Sequence, residues 1–228
     1  MLDNSLPQNP ARPWTIVPPG TRNDILYAMK ERIGLFGGTF DPPHRGHLAL
    51  ADQVYRQLHL DRLLWVVTPV PPHKPGGPVA SARHRLAMAR LAVQGSPYEV
   101  SEIEFERRGP HYALDTVRAI AGKHPGAELI YLMGGDSLAD LPKWHRPADL
   151  VAALTGIAVM RRPGDAIDLP ALEQLVPGLT ARVRFVDAPA VGIASREIRR
   201  RIAAGEEFRD WVLPAVSEYI AAHRLYSA

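Results

Sequence analysis

Short apolar runs alternate with helix-period segments along most of this 228-residue chain, and that alternation constrains its fold more than any other feature. Residues 33–36 (Ile-Gly-Leu-Phe) precede a helical pattern at 48–58. The run 62–67 (Arg-Leu-Leu-Trp-Val-Val) is apolar after its first residue, as a parallel strand covered on both faces must be. Residues 81–94 read as a helix that opens on Ser81 and stops before Gly95. Residues 98–105 alternate, like an edge strand, and 113–121 are helical. Further core strands are expected at 128–133, 156–160 and 182–186, with helices at 148–153, 195–203 and 211–223. Strands interleaved with helices predict an α/β fold with a doubly wound, mainly parallel sheet. In such sheets ligands bind beyond the carboxyl ends of the strands, where strand order reverses. Ahead of this domain (32–228), residues 1–31 carry Pro7, Pro10, Pro13, Pro18, Pro19 and Gly20. They read as an extended, flexible arm with a short helical turn at 24–30.

Composition narrows the function classes. With no cysteine there are no disulfides, thiol nucleophiles or cysteine-based metal centres, and a reducing, cytoplasmic location is expected. No apolar run approaches the roughly 18 residues of a membrane span, and no secretory leader is visible, so no membrane partner is expected. The net charge is +3 and aromatic residues make up 7% of the chain. A nucleic-acid surface needs a basic face with stacking aromatics, so small phosphorylated molecules explain this charge at least as well.

Residues 37–47 read Gly-Gly-Thr-Phe-Asp-Pro-Pro-His-Arg-Gly-His, between an apolar run and a helical pattern. Strand, glycine turn and helix start together expose backbone N–H groups and a helix N-terminus where an anion can sit. His44 and His47, three residues apart, can face the same anion. A site for polyphosphate is the best single reading. A zinc reading of the two histidines lacks both the i, i+4 spacing and any cysteine. Neither a P-loop nor a Gly-x-Gly-x-x-Gly dinucleotide turn is present.

The string Gly-Gly-Thr-Phe-Asp-Pro-x-His-x-Gly-His resembles the signature of the nucleotidylyltransferase superfamily. Within it the chain is most similar to the bacterial nicotinate-nucleotide adenylyltransferases, over about residues 32–226. The resemblance implies a Rossmann-like fold and adenylyl transfer from ATP to nicotinate mononucleotide, giving deamido-NAD and pyrophosphate. It implies Mg²⁺ with ATP as co-substrate and small-molecule partners; no residue is assigned as a metal ligand, and whether a protein side chain holds the Mg²⁺ directly is left open. Alternatives are another phosphorylated acceptor (nicotinamide mononucleotide or phosphopantetheine) or a nucleotide-binding sensor without turnover. Oligomeric state is left open.

Residue by residue, the resemblance makes His44 and His47 the catalytic donors to the α- and β-phosphates. Gly37, Gly38, Thr39 and Phe40 would form the turn around ATP, with Ser195 and Arg199 binding its phosphates from a second helix N-terminus. Asp41 would cap the turn or bind Mg²⁺ indirectly. On the acceptor side stand Lys74 in Pro71-Pro72-His73-Lys74-Pro75, Tyr112 and Ala113, Asp136, and Trp144 with His145. Trp144 would stack on the pyridine ring, and backbone N–H groups near Tyr112 and Trp144 would hold the nicotinate carboxylate. Asp136 would bind ribose or cap the following helix. The chain departs from the family's Ser-Tyr-Thr at His111-Tyr112-Ala113, and from its Ile-Ser-Ser-Thr at Ile193-Ala194-Ser195-Arg196. Some of Arg83, His84 and Arg85 are expected only to solvate a helix face, and Arg200 and Arg201 to face solvent.

Overall fold

The computed structural model describes residues 30–72, 77–160, 167–187 and 192–227. Among them, parallel strands β1 (Arg32–Gly38), β2 (Arg62–Val67), β3 (Glu99–Ser101), β4 (Glu128–Gly134), β5 (Gly156–Met160) and β6 (Val183–Val186) form one sheet. Their order is β3-β2-β1-β4-β5-β6, every neighbouring pair parallel. The doubly wound α/β sheet read from the alternation is therefore present. Order reverses between β1 and β4, so Gly37-Gly38 and Gly134 flank the crevice where such sheets bind ligands.

Successive side chains of a strand point to opposite faces, and the strands divide accordingly. Phe36, Leu63, Trp65, Val67, Ile130 and Leu132 enter one core. That core is covered by α1 (Arg45–Gln57), α2 (Ala82–Val93), α8 (Ser195–Ala203) and α9 (Pro214–Ala222). Ile33, Leu35, Leu64, Val66, Leu129, Ile157 and Val159 enter the other. Its cover is α3 (Ala113–Lys123), α4 (Gly135–Asp140), α5 (Pro147–Ala153), α6 (Leu169–Leu175) and α7 (Leu179–Arg182). Each fully buried Leu, Ile or Val contributes about 1.5–3 kcal/mol, which is why both faces of β1, β2 and β4 are continuously apolar.

Two expectations are corrected. The strand expected at 98–105 is only β3, because at Glu102 the chain turns (Phe105 N–H to Glu102 O, 2.8 Å) and drops Ile103 and Glu104 into the interior. The helix expected at 211–223 is a 3-10 turn, Arg209–Trp211, followed by α9. Pro214 keeps Leu213 extended and takes the first helical position itself. The short helices α6 and α7 lie between β5 and β6 in a stretch with no clear helical period. The arm expected at 1–31 lies outside the described residues apart from Lys30 and Glu31. Among the described residues no helix is long and apolar enough to cross a membrane.

Candidate active site

β1 ends at Gly38 and the chain enters α1 through residues 39–44. A Cβ at Gly37 would stand 2.6 Å from the Tyr131 hydroxyl, so a side chain there has to displace the Tyr131 ring. Phe40 has φ +49° and is 2% exposed. Its ring stacks on Trp65 at 4.8 Å and meets Phe36 edge-on at 5.4 Å, so its side chain belongs to the core. Only the Phe40 backbone remains for a ligand at the turn.

His44 caps α1 and His47 is the third helical residue. The rings lie 3.7 Å apart at 31°. The His44 N–H donates to Nδ1 of His47 at 3.2 Å. With Nδ1 accepting, neutral His47 carries its proton on Nε2 and so presents a donor there. The first turn of α1 holds no acidic residue, which leaves the positive end of the helix dipole uncompensated.

The Asp41 carboxylate is 4% exposed and fully engaged inside the protein. It accepts from the Val79 N–H (2.8 Å), the Ala80 N–H (3.1 Å) and the Tyr226 hydroxyl (2.7 Å). Burial and the adjacent Asp41 push the Tyr226 phenol well above its ordinary range. These contacts fasten Asp41 to the 79–80 segment and to Tyr226 rather than capping its own turn. Ser195 and Arg199, in the first turns of α8, reach the same segment: Ser195 Oγ donates to Pro42 O (2.9 Å), and Arg199 Nη1 to Asp41 O (2.6 Å). These bonds bring the start of α8 against the turn before α1.

A cleft of about 200 Å³ opens at the β1/β4 switch point. Gly37, Gly38, Thr39, Tyr112, Ala113, Trp144 and His145 are among the residues that line it. Tyr112 caps α3 and stacks on His145 at 4.1 Å and 19°. Trp144 stands edge-on to Tyr131 at 6.0 Å. Residues more than 70 positions apart in sequence thus converge on one concavity, while His44, His47, Ser195 and Arg199 are not among its lining residues. Asp136 is exposed and accepts from the Ser137 N–H at 2.9 Å; Ser137, not Asp136, lines the cleft. Lys74 lies outside the described residues.

Sequence reasoning missed the floor of this cleft, which includes Thr68, Glu104, His111 and Tyr131. Burial pushes the Glu104 carboxyl upward, and burial with the neighbouring Arg107 charge pulls His111 downward. His111 stood inside a quoted motif, whereas Glu104 was hidden in a segment read as strand. Arg85 was missed as well. It is 1% exposed and donates to the carbonyls of Thr39, Thr68, Pro69 and Ala80 at 2.6–3.1 Å, fastening the ends of β1 and β2 together. Arg200 and Arg201 are tied up too, the first with Glu197 and Glu206, the second 4.1 Å over the Trp211 ring.

The sequence matches the cytidylyltransferase-like family over residues 35–201. A curated relative from Thermomicrobium roseum, named probable nicotinate-nucleotide adenylyltransferase, is 44% identical over 196 residues, covering 86% of this chain and 91% of its own. The chain belongs to the nicotinate-nucleotide adenylyltransferase family. Another family member of the same curated name, from Roseiflexus sp. strain RS-1, is 45% identical over 85% of this chain and 97% of its own. Among solved structures, Plasmodium falciparum nicotinic acid mononucleotide adenylyltransferase complexed with NaAD superposes with a TM-score of 0.71 at 19% identity. It covers 86% of this family member and 97% of its own chain, a likeness of fold.

Proposed function

We propose that this chain transfers the adenylyl group of ATP to nicotinate mononucleotide, forming deamido-NAD and pyrophosphate. One observation carries the reading of the site: the glycine turn before the His44–His47 helix start and the Tyr112/Trp144/His145 aromatic cluster line the same cleft. In the reaction a phosphate oxygen of the mononucleotide attacks the α-phosphorus, and pyrophosphate leaves. The nucleophile is already anionic near neutral pH, so the site has to align two anions and stabilise charge on the α-phosphate and leaving group.

His47 donates from Nε2 to the phosphate oxygens, and His44 shares that anion from the N-cap of α1. Backbone N–H groups of Gly37, Gly38, Thr39 and Phe40 wrap the triphosphate. Ser195 and Arg199 hold the turn in place and lend Arg199's charge to it. Trp144 provides a flat face for the pyridine ring. The N–H groups of Tyr112, Ala113 and His145 approach its carboxylate, so a backbone contact survives the alanine at 113. Lys74 is assigned to the acceptor phosphate and Asp136 to a ribose hydroxyl.

Mg²⁺ accompanies ATP in this proposal. Among the described residues no three His, Asp or Glu side chains gather as a cation site. The Asp41 oxygens are taken by Val79, Ala80 and Tyr226. These residues do not fit a protein-held ion, so no step is assigned to one. The deciding experiment is pyrophosphate release with ATP, Mg²⁺ and either nicotinate mononucleotide or phosphopantetheine. Release with the former supports the reading; release only with the latter overturns it. ATP binding without release from any acceptor favours a sensor.

A further inference from the structure

Two buried polar atoms at the cleft have no hydrogen-bond partner among the described residues, Oε2 of Glu104 and Nδ1 of His111. Glu104 is 4% exposed and His111 6% exposed. A buried polar atom left unpaired costs about 1–3 kcal/mol, so a pair of them lining one cleft calls for a ligand that satisfies both. The rest of the Glu104 carboxylate is already committed. Glu104 Oε1 accepts from Thr116 Oγ1 at 2.5 Å, and Arg107 stands 3.8 Å from the same oxygen while also donating to Thr116. That network underlies the first turns of α3, directly behind Tyr112 and Ala113. His111 and Ala113 are the two positions where this stretch departs from Ser-Tyr-Thr.

We propose that Glu104 and His111 form the subsite that reads the exocyclic group on the acceptor's pyridine ring, and that the proton on Glu104 selects between a carboxylate and a carboxamide there. The inference rests on the acceptor placement proposed above. An Nδ1–H of His111 donates to the oxygen that both groups possess. Protonated Glu104 donates to the second oxygen of a carboxylate. Ionised Glu104 repels that carboxylate and accepts an N–H of a carboxamide. The bond changes are the same with either acceptor. A phosphate oxygen bonds to the α-phosphorus, the bond to the bridging oxygen of the leaving pyrophosphate breaks, and pyrophosphate departs with that electron pair.

The groups facing Glu104 are Arg107 on its own segment, Thr116 from α3, Thr68 after β2, Tyr131 from β4, and His111, with Asp115 pairing Arg107 at 3.8 Å. Burial raises the Glu104 carboxyl, against the pull of Thr116, Thr68 and Arg107. Burial holds the Tyr131 phenol protonated, and burial with Arg107 holds His111 below its ordinary 6.5.

The test is pyrophosphate release from ATP with nicotinate or nicotinamide mononucleotide between about pH 5.5 and pH 8.5. The acid-to-amide ratio of kcat/KM is expected to fall by about tenfold per pH unit once Glu104 ionises. Titration of the acceptor phosphate is common to both and cancels. In Glu104→Gln, whose amide keeps a permanent donor, the ratio is expected to be flat. A pH-independent ratio in the wild type overturns the proposal whether or not the variant folds. Amide turnover undetectable at the alkaline end overturns it too, as does a pH-dependent ratio that persists in folded Glu104→Gln. Release with neither acceptor overturns the reading of the reaction instead, which is a separate result.

Discussion

The Arg85 guanidinium donates to the Thr39 carbonyl at 2.9 Å from a side chain that is only 1% exposed. Its fork also holds Thr68, Pro69 and Ala80. Burial lowers its pKa and nearby Asp41 opposes that, beneath the turn that follows β1. Arg85→Met leaves four carbonyls without their donor, and a loss of at least about 3 kcal/mol is expected. Arg85→Lys should recover little of it, because a point ammonium cannot serve a planar fork. Urea unfolding of both variants reads the outcome; full recovery by lysine would refute the geometric argument.

His47 is partly exposed at the first turn of α1, so its loss should spare the fold. We expect His47→Ala to lower kcat by about 10²–10³, the usual cost of one transition-state donor. The melting temperature should stay within a few degrees of wild type. Turnover equal to wild type would remove His47 from phosphate stabilisation. His44→Ala is expected to be the less stable of the two, since His44 is 7% exposed and caps the helix.

Trp144 stands edge-on to Tyr131 and lines the cleft. Trp144→Ala should raise KM for nicotinate mononucleotide about tenfold, as expected for loss of one ring stack of about 1–3 kcal/mol. KM for ATP should move little. Equal effects on both substrates would place the indole in general packing.

Gly37→Ala drives a methyl to 2.6 Å from the Tyr131 hydroxyl. A cost of about 1–3 kcal/mol is expected from overpacking. Tyr131→Phe removes the opposing oxygen, so the double variant should regain much of that stability. A double-mutant cycle by thermal unfolding measures the coupling; strict additivity would place the clash elsewhere.

Glu104 also marks stability. A carboxyl raised in the folded state binds more protons there than in the unfolded chain. Its favourable contribution is complete below the ordinary carboxyl value of 4.5 and is lost as pH climbs through the raised one. Glu104→Gln, uncharged throughout, should therefore gain on wild type as pH rises. Unfolding midpoints at acid and mildly alkaline pH check the sign.

Much of the site was legible because its parts are local. The glycine turn, the His44–His47 spacing and the Tyr112 and Trp144 segments each sit within a few residues. Lys74 and the arm at 1–31 lie outside the described residues. Glu104 was obscure because alternation over 98–105 mimics a strand, while the actual turn depends on where β2 stops pairing with β3. Arg85 looked like a solvated charge, since no local pattern reveals that four carbonyls wait for it.

By itself the sequence determined the alternation of strand and helix, the parallel sheet and the phosphate-suited turn, since side-chain period and turn chemistry act over neighbouring residues. Only the tertiary structure decided which of these parts meet. Tyr226 reaches Asp41 across 185 positions, and Tyr112 finds His145 through the strand order β2-β1-β4. Such contacts depend on sheet order and register, which follow from packing two apolar faces at once and are written in no single segment.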